Sequence, residues 1–228
     1  MKIGVFGSGM VGQTMTEKLA SLGHDVMVGT RDPKATLAKD QPDGMGRPGF
    51  KLWHQENPKV KVGTFAEAAA HGEMLVNATN GGGALVALES AGEQNLNDKV
   101  LLDISNPLDF SKGFPPFLTI CNTDSLGEQI QKRFPKLKVV KSLNTMNALL
   151  MVNPGLLKED HTVFMSGNEV DAKAKVRGLL ESFGWKAANM IDVGNITTAR
   201  GTEQLLPIWV RLYGALQSPM FNFKIVRG

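Results

Sequence analysis

Short apolar runs alternate with helix-like segments over the first two thirds of this chain. Five of the runs are rich in β-branched or other apolar residues, and each ends in a polar or glycine-bearing turn. They cover residues 2–6, 25–29, 74–78, 100–104 and 139–142. Near-continuous hydrophobic runs of this length are typical of parallel strands that are buried on both faces. The pattern therefore predicts a parallel sheet.

Segments with a helical pattern separate these runs, at residues 9–22, 64–71, 85–94 and 125–134. A regular alternation of strand and helix is the pattern of βαβ units. We predict an α/β fold class, in which helices cover both faces of a doubly wound, mostly parallel sheet.

The alternation is interrupted after residue 40 and changes after residue 153. Residues 41–58 are rich in proline and glycine, which favours a surface loop, either a plain insertion or a lid over a site. Beyond residue 154 we predict a strand at 161–166, a helix at 170–183, a strand at 189–193 and an apolar helix at 198–213.

Composition argues against several classes of protein. Of 228 residues, 42% are hydrophobic and 21% are charged, which is close to the globular average. The net charge of +3 comes from scattered Lys and Arg, whereas a nucleic-acid binder would concentrate them. Cys121 is the only cysteine, so no internal disulfide can form. No apolar run approaches the roughly 18 residues of a membrane span, and the chain begins with a strand pattern rather than a signal peptide. We expect a cytoplasmic protein without a nucleic-acid or membrane partner.

A glycine-rich turn follows the first predicted strand, since Gly7-Ser8-Gly9-Met10-Val11-Gly12 matches G-x-G-x-x-G. The motif alone is weak, but here it lies between a strand and a helix, and a second strand follows at the expected distance. In such turns the first glycine permits the tight turn, the second lets the backbone approach a pyrophosphate, and the third lets helix and strand pack closely. Free N–H groups at the helix start stabilise the phosphates. These six residues predict a Rossmann-type dinucleotide-binding site.

The end of the second predicted strand favours NADP(H) over NAD(H). NAD-binding versions of this site place an Asp or Glu there for the ribose 2′-hydroxyl, but this chain has Gly29 and Thr30. Arg31 and Lys34 can neutralise a 2′-phosphate, and the guanidinium of Arg31 can stack on adenine. Asp32 comes too late for the ribose and precedes a proline, an arrangement typical of a helix cap. We predict that Thr30, Arg31 and Lys34 bind the adenosine end of the cofactor.

With these elements in place, the whole chain resembles the NADP oxidoreductases that depend on the deazaflavin coenzyme F420 and, more distantly, the reductase domain of the STEAP metalloreductases. The resemblance rests on residues 7–12, 28–31, 76–80 and 141–145, and on Asp192-Val193-Gly194, Thr198-Ala199-Arg200 and Glu203. Many Rossmann enzymes share its N-terminal half, whereas residues 167–206 are the more specific part.

The resemblance implies a cleft above the carboxyl ends of the strands, where hydride passes directly between the nicotinamide of NADP(H) and the ring of an acceptor. It places Ala78, Thr79, Asn80 and Gly81 against the ribose and nicotinamide. Such chemistry depends on positioning more than on acid or base catalysis, so we predict no catalytic side chain. No histidine lies beside a strand-end motif and no His, Cys or carboxylate cluster has metal-ligand spacing, so no metal site is predicted.

Polar residues also follow the fourth and fifth predicted strands. They are Asp103, Ser105, Asn106 and Pro107 after one strand, and Asn144, Thr145, Met146 and Asn147 after the other. Ligands of open α/β sheets bind outside such carboxyl ends, so we expect these residues to shape the substrate side, with Asn106 and Asn144 contacting the cofactor. Asn144 and Asn147 could equally be turn formers.

Departures from the family pattern leave the acceptor open. The F420-dependent enzymes typically carry a histidine where this chain has Asn144, a proline near Asn147 and another proline where it has Gly81. The acceptor could thus be F420, a flavin or another small oxidised molecule. Two further classes stay open: an NADP-dependent dehydrogenase or reductase of a carbonyl or imine, and a non-enzymatic NADP(H)-binding sensor. The former would need a proton donor, and only Lys141 lies near a strand end, although we expect it to face solvent.

We interpret the chain as a single NAD(P)-binding Rossmann domain. Residues 1–150 would form the nucleotide-binding core, and a C-terminal extension in residues 151–228 would complete the sheet. Residues 205–213 are apolar on more than one face, and one small domain cannot bury them all. A homodimer surface would explain this pattern, and packing across the sheet's own open edge is the alternative.

Overall fold

The computed structural model describes residues 1–42 and 46–228. In this part of the chain there are ten strands: β1 (Lys2–Phe6), β2 (Asp25–Thr30), β3 (Lys61–Thr64), β4 (Met74–Asn77), β5 (Val100–Asp103), β6 (Leu108–Asp109), β7 (Phe117–Leu118), β8 (Lys138–Ser142), β9 (Val163–Gly167) and β10 (Met190–Gly194). The helices are α1 (Met10–Ser21), α2 (Pro33–Ala38), α3 (Phe50–Glu56), α4 (Phe65–His71), α5 (Gly81–Ala91), α6 (Glu93–Leu96), α7 (Leu126–Arg133), α8 (Ala148–Val152), α9 (Val170–Phe183), α10 (Ala199–Gln204) and α11 (Leu206–Leu216).

Eight strands form one sheet in the order β3-β2-β1-β4-β5-β8-β9-β10. The first six strands follow the Rossmann order. The chain adds strands on one side of β1 up to β3 and then, from β4, on the other side, so the strand order switches between β1 and β4. Neighbouring strands are parallel except for β8 and β9, which are antiparallel. Strands β6 and β7 form a separate antiparallel pair. The predicted fold class, a doubly wound and mostly parallel α/β sheet with C-terminal helices, is confirmed.

Helices cover both faces of the sheet because alternate strand residues point to opposite sides. Ile3 and Val5 of β1 pack with Met15 of α1 on one face, where α8 and α9 complete the cluster. Phe6 packs on the other face, against Phe65 of α4, together with buried residues of α5, α6 and α7. The carboxyl ends of the parallel strands are thereby left between the two helical layers.

The predicted loop at residues 41–58 is partly wrong, because residues 50–56 form helix α3. Phe50 and Trp53 are buried there against Val28 of β2 and Val60, and the Trp53 indole nitrogen donates to Glu17 Oε1. The prolines and glycines that precede it favoured a loop, and so this helix of about two turns was not predicted. Residues 43–45 of the predicted loop lie outside the described residues.

Two predicted helices are divided in the structure. The segment predicted at 85–94 begins earlier, at Gly81, and is broken at Gly92, whose φ of 81° separates α5 from α6. The segment predicted at 198–213 becomes α10 and α11, with the break before Pro207, which has no N–H to continue the hydrogen-bond ladder. No helix within residues 1–42 and 46–228 is both long and apolar enough to cross a bilayer.

Candidate cofactor and acceptor cleft

The glycine-rich turn connects β1 to α1 and leaves the start of α1 without a side-chain cap. Gly7 has a φ of 116°, and its N–H donates to the carbonyl oxygen of Gly29 at 3.0 Å, which ties the turn to β2. Gly9 is the N-cap of α1 and no side chain caps the helix, so its first amides stay free for a ligand. Gln13 Nε2 donates to the Ser8 carbonyl at 2.9 Å and fixes the turn from within the helix.

The second and third glycines of the motif meet opposite surroundings. A Cβ added to Gly12 would overlap the carbonyl oxygen of Gly7, so this position needs glycine for close packing of helix and strand. A Cβ added to Gly9 would meet no atom within 4 Å. The space beside Gly9 is therefore free for a group that approaches the backbone, and a pyrophosphate fits such a cradle.

The end of β2 carries the predicted adenosine contacts. Thr30 is buried and its hydroxyl lies 2.8 Å from the hydroxyl of Thr36. Arg31 is exposed and lines the cavity that also holds the glycine turn. Asp32 caps α2, since its Oδ1 accepts from Ala35 N at 3.0 Å, as the sequence predicted. Lys34 lies in α2 and lines none of the cavities described below.

Two cavities meet at the carboxyl end of β4. The larger, of about 610 Å³, is lined by Gly7, Ser8, Gly9, Thr30, Arg31, Ala78, Thr79 and Asn80, together with the start of α5. The smaller, of about 210 Å³, is lined by Val11, Ala78, Thr79, Asn80, Gly81, Asn106, Asn144 and a set of apolar side chains. The shared residues Ala78, Thr79 and Asn80 form the wall between the two. This position beside β1 and β4 is the switch point at which open α/β sheets bind their ligands.

Most of the apolar wall of the smaller cavity was not predicted, and Met146 is the exception. The wall comprises Leu108 and Phe110 from the β6 region, Met146 and Met151 near α8, and Leu206 and Trp209 from α11. For residues 205–213 the sequence predicts a dimer surface or packing across the open edge of the sheet, since nothing in their local pattern shows that one side of this helix reaches the cleft.

Asn106 and Asn144 lie side by side under the smaller cavity. Asn106 Nδ2 donates to the Asn144 carbonyl at 2.8 Å, and Asn144 Nδ2 donates to Asn106 Oδ1 at 2.9 Å. This reciprocal pair joins the ends of β5 and β8. Asn147 instead caps α8, because its Oδ1 accepts from Leu149 N at 2.9 Å.

The expectation that Lys141 faces solvent is wrong. Lys141 is fully buried in β8, and its Nζ lies 2.6 Å from Asp103 Oδ2 and 2.8 Å from Glu203 Oε1. The strand lies between β5 and β9 with helices on both faces, so a side chain on it has no path to water. Burial alone would lower the pKa of Lys141, but the two carboxylates raise it above its ordinary value. Asp103, which we expected to shape the substrate side, is likewise turned into the interior.

The turn, the switch-point cleft and the strand order define a dinucleotide-binding protein of the Rossmann class. A family model described as "NADP oxidoreductase coenzyme F420-dependent" matches residues 2–107. A crystal structure of a protein from Arthrobacter sp. FB24, proposed to be an F420-dependent NADP reductase, is 57% identical, with a TM-score of 0.95 and full coverage of both chains. This chain belongs to the family of F420-dependent NADP oxidoreductases, and it is an NADP-dependent oxidoreductase.

Two curated relatives agree with this assignment. The F420-dependent NADP reductase of Methanothermobacter marburgensis is 26% identical over 217 residues, which are 93% of this chain and 92% of that protein. Metalloreductase STEAP3 of Rattus norvegicus is 26% identical over 212 residues, which are 91% of this chain but 38% of that protein. An imine reductase from Myxococcus stipitatus, at 14% identity and a TM-score of 0.61, shares the fold.

Proposed function

We propose that this protein transfers hydride between the nicotinamide of NADP(H) and the flat ring of a small acceptor, either a deazaflavin such as coenzyme F420 or a flavin. The observation that carries the proposal is the meeting of two cavities at Ala78, Thr79 and Asn80. One cavity contains the glycine turn and Arg31, and the other has a largely apolar lining. When bound, the nicotinamide supplies the hydride, and the chain supplies the positions of the two rings.

The predicted cofactor residues divide among the pyrophosphate, the adenosine end and the nicotinamide end of the nucleotide. Gly7, Ser8, Gly9, Met10, Val11 and Gly12 would hold the pyrophosphate through the turn and the start of α1. Thr30, Arg31 and Lys34 would hold the adenosine end, with Arg31 nearest to the cleft. Ala78, Thr79, Asn80 and Gly81 would contact the nicotinamide ribose. The Asn106–Asn144 pair would form the floor under the ring.

The apolar side chains of the smaller cavity suit an aromatic acceptor. Trp209 stacks on Tyr213 at a centroid distance of 5.9 Å and on Phe221 at 5.3 Å, which holds its ring in place beside the cleft. Phe110, Met151 and Trp209 would shield the ring of a bound acceptor from water, which would protect a hydride in transfer. The names of the Methanothermobacter and Arthrobacter proteins support a deazaflavin as that acceptor.

The burial of Lys141 argues against the carbonyl or imine alternative. Reduction of such a substrate needs a proton donor beside the ring. Lys141 was the one candidate that the sequence offered, and its three N–H groups are taken by Asp103, Glu203 and the Ser105 carbonyl. Hydride transfer to a flavin or deazaflavin leaves a delocalised ring anion that can take its proton from solvent, so it needs no such donor.

The proposal is tested by following NADPH absorbance with F420, FMN, a ferric chelate and a panel of carbonyls and imines, with NADH as the control. We expect oxidation of NADPH by the deazaflavin or flavin, and little with carbonyls. Deuterium carried on the transferring face of NADPH should then appear on the deazaflavin ring. Consumption of NADPH only with carbonyls or imines would contradict the proposal, and tight NADPH binding without any acceptor turned over would favour a sensor.

We also propose that the protein is one domain that acts in the cytoplasm on a diffusible small molecule, without a nucleic-acid or membrane partner. The shared sheet supports the single domain, because β9 and β10 of the extension continue the strand order of the core. The mild net charge and the single cysteine support the rest.

We propose further that two copies associate through α11. Leu206 and Val210 are buried within the chain, whereas Ile208 and Leu216 on the same helix are exposed. The sheet edge does not account for these exposed side chains, so a second copy is the occupant that we favour.

We expect light scattering to give twice the mass of one chain, and Ile208→Glu to shift the protein toward the monomer because a charge would be buried in the interface. Val170→Glu, at an exposed apolar residue outside α11, serves as the control and should leave the mass unchanged. A wild-type protein with the mass of a single chain would overturn the dimer.

A further inference from the structure

We infer that Lys141 is a positioning residue that holds the walls of the nicotinamide and acceptor cavity in place. The inference rests on the cofactor site proposed above and adds a role for a residue that does not line the cavity. The ammonium group has three partners: Asp103 at 2.6 Å, Glu203 at 2.8 Å and the Ser105 carbonyl at 2.7 Å. The three partners connect to different parts of the cleft: the wall shared by the two cavities, the floor of the smaller cavity and the C-terminal helices. The Lys141 side chain therefore links these three parts.

Asp103 transmits the contact toward the wall shared by the two cavities. Its Oδ1 accepts from Asn77 Nδ2 at 2.8 Å, and Asn77 Oδ1 in turn accepts from the Thr79 hydroxyl at 2.7 Å. Asn77 and Asp103 are fully buried, so these bonds form in a medium that strengthens them. Thr79, at the end of this series, lines both cavities.

The Ser105 carbonyl transmits the contact toward the floor of the smaller cavity. Ser105 N and Oγ both donate to Asp103 Oδ1, at 3.2 and 2.7 Å, which folds this strand end around the carboxylate. The next residue is Asn106, whose amide is paired with Asn144. The floor residues are therefore held from β5 and β8 at once.

Glu203 connects the same ammonium group to the C-terminal helices. It lies in α10, three residues before Leu206 and six before Trp209, which both line the smaller cavity. Its carboxylate also accepts the N–H groups of Leu126 and Gly127 at 2.8 and 3.0 Å, at the start of α7. Leu206 and Trp209, which we call the acceptor wall, are thus connected to the sheet through a buried ion pair.

A buried ion pair of this kind is weak evidence for stability, because desolvation offsets much of the attraction. Three buried charged side chains from β5, β8 and α10 would be a costly way to fill a core. Their arrangement between the strand ends and the acceptor wall is instead suited to fixing a geometry. We therefore infer that Lys141 fixes the positions of the cavity walls relative to one another.

The test compares NADPH with 2′,5′-ADP, which lacks the nicotinamide half. Glu203→Gln keeps the side-chain shape, one accepting oxygen and the pairing of Lys141 with Asp103. It removes the acceptor of one N–H group at the start of α7, and we expect the protein to fold despite this loss. By calorimetry we expect NADPH to bind about tenfold more weakly, as for the loss of one charge-assisted bond, and 2′,5′-ADP to bind as in the wild type. As a second variant, Lys141→Met combined with Asp103→Asn and Glu203→Gln removes all three charges and should give the same selective loss.

The matched control is Glu128→Gln, which breaks the ion pair between α7 and Arg200 of α10 at 2.6 Å, outside the cleft. It should lower the melting temperature and leave both affinities unchanged. The inference is overturned if Glu203→Gln also lowers only the melting temperature, or weakens both ligands equally. Failure of the proposed function would look different, because the wild type would then bind neither NADPH nor 2′,5′-ADP, or would bind NADPH without passing hydride to a deazaflavin or flavin.

Discussion

Replacing Arg31 by alanine should weaken NADPH binding by about 1.5–3 kcal/mol, roughly 10- to 150-fold, and should weaken NADH binding far less. Arg31 is exposed at the end of β2 and lines the same cavity as the glycine turn. A 2′-phosphate carries the charge that distinguishes NADPH from NADH, and a guanidinium binds it through charge-assisted bonds. Titration calorimetry with both nucleotides measures the difference directly.

Lys34→Ala is the matched control, since it removes a nearby cation that does not line the cavity. We expect it to cost less NADPH affinity than Arg31→Ala, and the loss should shrink further as salt is added. Equal losses of NADPH and NADH in Arg31→Ala would show that the guanidinium does not recognise the 2′-phosphate. In that case the preference for NADP(H) would have to come from another part of the cleft.

Gly9→Ala should lose about 1.5–3 kcal/mol of NADPH affinity while the protein remains folded. The backbone of Gly9 has a φ of −81°, which alanine adopts without strain, and the added methyl group would meet no protein atom within 4 Å. The methyl group would instead occupy the space in which we place the pyrophosphate, beside the free amides of α1. Calorimetry and a thermal melt on the same sample separate binding from stability.

Two other glycines provide control variants for this experiment. Gly12→Ala should destabilise the protein itself, because its Cβ would overlap the Gly7 carbonyl. Gly178→Ala, in the middle of α9 with open space around it, should raise stability by about 0.5–1 kcal/mol and leave NADPH binding unchanged. Unimpaired NADPH binding by a folded Gly9→Ala protein would mean that the phosphates do not approach this turn, and the proposed cofactor site would be abandoned.

The elements that the sequence predicted well are those whose signal is local. Strand β1 and helix α9 have the predicted bounds, because a compact apolar run and a 14-residue amphipathic repeat each carry a complete pattern. The capping of α2 by Asp32 was predicted for the same reason, since cap and helix start are adjacent in the chain.

The elements that were missed depend on contacts with distant parts of the chain. Strand β3 has four residues and only Val62 among them is β-branched and apolar, so pairing with β2 decides its conformation. Helix α3 is short and lies in a segment rich in proline and glycine. Burial of Phe50 and Trp53 against β2 stabilises it, and that burial cannot be seen in the segment itself.

By itself the sequence determined the doubly wound sheet and the glycine turn beside the first helix, and it predicted the preference for a 2′-phosphate, because the patterns behind all three lie within single strand–turn–helix units. Only the tertiary structure decided how the cleft is built around that turn. It placed Trp209, from a helix that the sequence predicted at a dimer surface or sheet edge, in the apolar wall of the smaller cavity, and it buried Lys141 between Asp103 and Glu203. These contacts join residues separated by tens of positions, so their partners are chosen by the order of the strands and not by the local pattern of hydrophobic and polar residues.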